Sequence, residues 1–322
     1  MIELRPLDGG NPLGFLAALG TLVVADRMLG PTRARLSWVD EVRPYPLLDV
    51  ESVDQLVEAV MADRDAWVGV PGLDFPPPPA PPWDEVKVAP ADVRRWLQAC
   101  HEYEAHDGGR SLGLASALVA EGSLAENKEE AKPSDLHFTT GQQKFLAMAR
   151  RLRDGLTGGH VREAVVGPWR YKSHLKSFKW DVTDDRVYAL AATNPATDAK
   201  LTVPGAEWLA LMGLSLLGVT ARRGAGSDRT LTPGTRGSWK SGSFTWALWA
   251  APLGVDTVRS VLTVPELTGV DGPAPALDVQ ARGLLRVYRS VITRSNQGGY
   301  GSFRPPSIVA DVDAGAAVRP GG

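Results

Sequence analysis

The chain has 322 residues, 43% hydrophobic and 22% charged, an ordinary globular composition with enough length to bury a sizeable core. A single cysteine, Cys100, rules out an intramolecular disulfide and a secreted disulfide scaffold. No uninterrupted apolar run reaches the ~18 residues that a membrane span needs, and the first apolar stretch lacks the charge layout of a signal peptide, so a cytoplasmic protein without membrane contact is expected.

Residues 2–5 alternate apolar and charged side chains and predict a short strand. Asn11 suits a helix N-cap and Pro12 the first helical position, where the missing N–H costs nothing. The helix they open is predicted to run to about residue 29, apolar on most faces and therefore buried. Gly14, Ala17, Ala18 and Gly20 keep part of it thin enough for another backbone to approach, and Gly30-Pro31 stops it. A strand over 35–39 and a surface helix over 54–63 follow. The proline run of residues 75–83 predicts an extended, rigid spacer in preference to a ligand for a partner's aromatic groove. A helix is expected over 92–104, and a mobile acidic loop over 122–135.

Residues 139–143 are expected to open a helix whose Phe145, Leu146, Met148, Ala149, Leu152 and Leu156 fall at helical spacing, ended by Gly158-Gly159. A strand is predicted over 177–182 and a second buried helix over 207–218. Residues 244–249 alternate clearly as a strand, and 284–293 form another, with Arg286 and Tyr288 on one face. The sum is an α+β fold of mixed or antiparallel sheets with buried helices, in two subdomains. Residues 1–135 form an acidic region, 136–306 a basic one, and 307–322 a flexible tail.

Charge divides the chain the same way. Residues 1–139 hold 12 Lys and Arg against 23 Asp and Glu, a net of −11, whereas 140–304 hold 22 against 12, a net of +10. Such polarity fits one half facing a polyanion, or the two halves neutralising each other.

Catalytic signatures are sparse. The five histidines make no HExxH-type spacing, and there is no CxxC, Walker A loop, G-x-S-x-G elbow or Rossmann fingerprint. His101 and His106 lie among Glu102, Glu104 and Asp107, a pattern better explained by a solvated helix face than by a metal. Asp181, Asp184 and Asp185 resemble a nuclease carboxylate cluster, yet a turn explains them more simply.

Cations and aromatics, by contrast, interleave. Residues 169–180 contain Arg170, Lys172, Lys176 and Lys179 with Trp169, Tyr171, Phe178 and Trp180, a mixture in which cations hold phosphates and ring faces stack bases. Arg222, Arg223 and Arg229 surround a Gly- and Ser-rich turn suited to a phosphate backbone. Arg286, Arg289 and Arg304 flank Asn296 and Gln297, side chains that read base edges. The Asp8-Gly9-Gly10-Asn11 turn puts a helix N-terminus after a strand, an arrangement that suits either an anion or packing alone.

The segment from Asn11 to Gly20 resembles the N-P-x-x-x-L-x-A-L-G opening of large-subunit proteins of type I-G (formerly I-U) CRISPR surveillance complexes. The run from Pro204 to Leu214, preceded by Thr193-Asn194-Pro195, is similar to their later P-x-x-E-x-L-A-x-x-G-L segment, and residues 138–144 to a helix-opening motif of the same proteins. These are helix-packing signatures covering about a fifth of the chain, and they carry no catalytic residue. What the resemblance implies is a non-enzymatic, nucleic-acid-binding component of an antiviral ribonucleoprotein. Its partners would be guide RNA, target DNA including the duplex beside the target, companion subunits and a recruited helicase-nuclease. No cofactor or metal is called for. The chain is short for such a subunit, and a smaller paralogue is the variant reading. A metal-dependent nuclease or other hydrolase, and a protein-only scaffold, are the alternatives.

Overall fold

The structure, a computed structural model, describes residues 1–30, 34–124, 129–139, 143–182, 201–223, 228–237, 241–268, 278–279, 281–294 and 301–312. The fold is α+β, as expected, and every paired strand among these residues is antiparallel.

Helix α1 (Pro12–Leu29) lies at the centre. The Asn11 side chain accepts from the Leu13 amide at 3.1 Å, so cap and proline act as the sequence predicts. On length and composition this helix could cross a membrane, but most of its surface is buried inside the protein as a core helix. Its small residues serve a crossing with α8 (Pro204–Gly213). A Cβ at Gly20 would lie 1.8 Å from the Leu209 carbonyl oxygen, and one at Gly213 would lie 2.1 Å from that of Leu16. Helices α2 (Val53–Asp65) and α7 (Gly158–Val166) flank this pair.

A three-stranded sheet, β1 (Ile2–Glu3), β3 (Tyr45–Leu48) and β2 (Leu36–Val39) in that order, carries the N-terminus. Helices α3 (Pro90–Glu102), α4 (Glu104–Asp107) and α5 (Arg110–Leu118) follow α2, and α6 (Phe145–Gly155) precedes α7. The C-terminal portion holds a two-stranded ladder of β4 (Thr220–Arg223) and β5 (Asp228–Leu231). The largest sheet runs β10 (Ser307–Asp311), β8 (Leu284–Arg294), β7 (Ser241–Trp249), β6 (Thr235–Gly237), with β9 (Gly301–Phe303) also on β8. Helix α9 (Val255–Leu262) follows β7.

Aromatic side chains join this sheet to α1. Phe15 stacks on Trp38 and meets Trp246, each with ring centroids 5.9 Å apart, and Trp246 Nε1 donates to the Gly9 carbonyl at 2.8 Å. Trp249 Nε1 donates to Leu36 at 2.7 Å, so both buried indoles find an acceptor. One cluster of buried side chains extends from Leu4 to Phe303 and draws on both sides of the boundary expected at residue 135.

Several local expectations need correction. The proline run is no spacer, because the Trp83 amide donates to the Phe75 carbonyl at 2.7 Å and their rings meet at 4.8 Å, closing the segment on itself. The described ends of the expected mobile loop are anchored, with Ser123 and Ser134 buried against Thr230 and Thr232. Gly158 opens α7 behind a Thr157 cap rather than ending a helix. Residues 177–182 form no strand, and the expected tail begins as β10.

Candidate nucleic-acid interface

The cation-rich segment leaves α7 at Gly167 and returns to α8 through residues outside those described. Although it contains no regular element, it is anchored throughout. Trp169 Nε1 donates to the Ala164 carbonyl at 3.0 Å and the Arg170 amide to Glu163 at 2.6 Å. The Tyr171 hydroxyl donates to Asp181 at 2.7 Å, and the other Asp181 oxygen accepts from Asn11, the α1 cap, at 3.1 Å. Ser173 bridges to Thr202, whose hydroxyl donates to Leu175. On α8, Glu207 is fully buried and accepts from the Ser177 hydroxyl at 2.7 Å and the Phe178 amide at 3.1 Å.

Two non-glycine residues of this loop adopt left-handed backbone, Tyr171 at φ +50° and Lys179 at φ +67°. Bulky side chains rarely sit there, and the conformation persists only where surrounding bonds over-determine it. Asp181 supplies that constraint at Tyr171, and the Lys179 amide, bonded to Ser177 at 2.8 Å, supplies it at the other end.

Between these anchors exposure alternates. Arg170, Lys172, His174 and Lys176 face solvent, while Tyr171, Ser173 and Leu175 are half-buried. The side chains of Arg170, Lys172 and Lys176 make no hydrogen bond or ion pair among the described residues. Lys179 is half-buried. Trp180, expected to stack bases, is instead fully buried: it lies 4.8 Å from Phe178 and donates to the Leu136 carbonyl at 2.9 Å. A ring enclosed in the core cannot meet a base, so Trp180 leaves the candidate set.

The remaining candidates lie on other elements. Arg222 is exposed on β4, opposite Arg229 on β5, and Arg223 is opposite Asp228. The side chains of Arg223 and Arg229, and all of Asn296, Gln297, Asp184 and Asp185, lie outside the described residues. Arg304 is exposed between β9 and β10. Arg289 is half-buried and donates to Thr245 at 3.1 Å. Arg286 is not a surface cation, because it sits between Asp40 at 3.0 Å and Asp311 at 2.8 Å. Burial opposes the charge, but Tyr288 and then these carboxylates raise its pKa above the ordinary arginine value.

Nor, among the described residues, does the basic portion form one continuous positive face. Arg150 pairs with Asp84 and Arg153 with Asp74, each at 2.7 Å, while Arg162 pairs with Asp54. Arg294 donates to the carbonyls of His137 and Asp135, and burial lowers its pKa to about 10. Among the described residues the acidic portion therefore pairs with several arginines of the basic one, leaving exposed Lys144 and Arg151 on and beside α6, Arg222 on β4, Arg304 after β9 and the loop cations.

Sequence reasoning gave Asn11 as a helix cap and Asp181 as a turn residue but did not join them as anchors of this loop, and it missed Glu207, although the glutamate of the Pro204–Gly213 motif was a signal: a carboxylate in an apolar helix needs buried donors. His101 pairs with Glu104 at 3.3 Å on an exposed face, and no three metal-ligating side chains converge among the described residues. Neither the protein-family models nor the curated proteins compared with this chain give a match.

Proposed function

We propose that this chain is a nucleic-acid-binding subunit of a guide-RNA effector assembly, holding a sugar-phosphate chain on the loop of residues 170–176. The observation that carries the reading is that Arg170, Lys172 and Lys176 are exposed and unpaired among the described residues, on a loop fixed by buried hydrogen bonds at Asp181 and Glu207. Among the described residues Lys144, Arg151, Arg222 and Arg304 are likewise exposed without a side-chain partner, but they lie on other elements, whereas these three share one fixed loop. A fixed loop loses little conformational entropy on binding, and phosphate contacts need nothing more than correctly placed cations. Asp181 accepts from two side chains and is 3% exposed, which argues against its serving a two-metal nuclease centre. Guide RNA, target DNA, companion subunits and a recruited helicase-nuclease are the partners this reading entails.

The test is the salt dependence of binding. Each neutralised phosphate contributes a slope of about −0.7 to −0.9 in log K against log salt. Changing Arg170, Lys172 and Lys176 together to Ala should flatten the slope by about two units. An unchanged slope removes this loop from the interface.

A further inference from the structure

Four aromatics interleave with the cations of residues 169–180, and the fold treats them unequally. Phe178 and Trp180 are fully enclosed, whereas Trp169 and Tyr171 are half-buried. The latter two meet edge to face, with ring centroids 6.2 Å apart and planes at 74°, on either side of exposed Arg170. Their polar tips are already engaged, Trp169 Nε1 by the Ala164 carbonyl and the Tyr171 hydroxyl by Asp181. What the half-buried Trp169 offers a ligand is therefore part of its ring beside a cation, with its indole N–H already used.

Ring surface of that kind suits an unpaired base. In a duplex the base faces are covered by their neighbours, whereas a single strand can turn a base onto an aromatic side chain, and stacking of this sort tolerates any base. We infer that the ligand of this loop is a single strand. One unpaired base stacks on the Trp169 ring, while Arg170, Lys172 and Lys176 hold the flanking phosphates, and there is little base preference. This inference rests on the reading above that the loop binds nucleic acid.

Tryptophan emission provides the test. Of the ten tryptophans, seven are almost completely buried, and among the described residues Trp83 and Trp169 alone are partly exposed. The full chain, with Trp239 changed to Phe because it lies outside the described residues, is titrated at low salt with oligothymidylate and with a mixed-sequence duplex of equal length. Oligothymidylate is expected to quench emission, and Trp169→Phe to abolish the quenching while retaining most of the affinity. Trp169→Ala should weaken single-strand binding about tenfold and leave duplex binding unchanged. If oligothymidylate binds without quenching, or if duplex and single strand lose affinity equally in Trp169→Ala, stacking is refuted while the phosphate contacts stand. Binding of neither nucleic acid at low salt refutes the nucleic-acid reading itself. The quenching titration does not depend on how well Trp169→Ala folds.

Discussion

His137 is fully buried, its ring stacked on Phe145 at 5.1 Å, and Nε2 faces Glu85 at 2.8 Å. A carboxylate accepts only, so Nε2 carries the proton and Nδ1, which has no partner, is bare. Burial lowers the His137 pKa against the opposing pull of Glu85, with Lys87 and Arg294 adding to the depression. The folded protein therefore keeps this ring neutral at a pH where the unfolded chain, near its ordinary 6.5, takes up a proton. That contribution is complete above about pH 6.5 and declines as pH falls, with a slope of up to about 1.4 kcal/mol per pH unit. Urea midpoints between pH 8 and 5.5 should fall in the wild type and fall less in His137→Gln. Equal slopes would show that the ring does not titrate differently on unfolding. Cys100 poses a similar residue-scale question. On the buried face of α3, its thiol is pushed up to about 12, chiefly by burial and further by Asp107, so it should resist a thiol reagent at pH 8 until the protein unfolds. Labelling at a rate typical of a free thiol would contradict the enclosure. These environments were not legible in the sequence, because a lone histidine or cysteine says nothing about which distant segment encloses it.

Elements with local signals were legible. Helix α1 carried its cap, its proline, an apolar interior and a terminal glycine, and it forms nearly residue for residue. Strands β7 and β8 alternated, and they pair over nine positions. The failures occurred where distant partners overrule local pattern: residues 177–182 have strand-like residues, but Glu207 takes the Phe178 amide that a ladder would use. Small residues in α1 pointed to a close approach without naming the partner, which is α8. That crossing makes a sharp prediction. Gly20→Ala would drive a methyl group into the Leu209 carbonyl, and because both helices are packed on other sides neither can easily retreat. A loss of about 3 kcal/mol is expected from denaturant midpoints. Gly218→Ala is the control, since no atom lies within 4 Å of the added methyl and its exposed backbone is not left-handed. It should be neutral or slightly stabilising.

For the whole molecule, the segregation of charge has two consequences, and they can be separated by how deeply each pair is buried. Arg153 is 8% exposed in its side chain and is held by Asp74, Asp154 and the Trp67 carbonyl, tying α6 to the segment after α2. Arg162 and Asp54 form the same kind of link between α7 and α2, but both side chains are more than half exposed. Losing both carboxylates from a buried arginine would strand a charge in low dielectric, at a cost of about 3 kcal/mol or more, whereas an exposed pair contributes about 0–1 kcal/mol. Because Arg153 keeps Asp154 and the Trp67 carbonyl, Asp74→Asn should cost less than that limit but more than Asp54→Asn, with the difference surviving in 1 M salt because buried charges are screened little. Similar losses for both would mean that Arg153 reaches water despite its surroundings. Attraction between the two portions thus stabilises the fold chiefly where it is buried. Among the described residues the exposed cations left outside such pairs, Lys144, Arg151, Arg222, Arg304 and those on the loop after α7, are the ones whose charge remains available to an external polyanion. Asp74→Asn should accordingly change stability while leaving the salt slope of nucleic-acid binding untouched, and the loop triple variant should do the reverse.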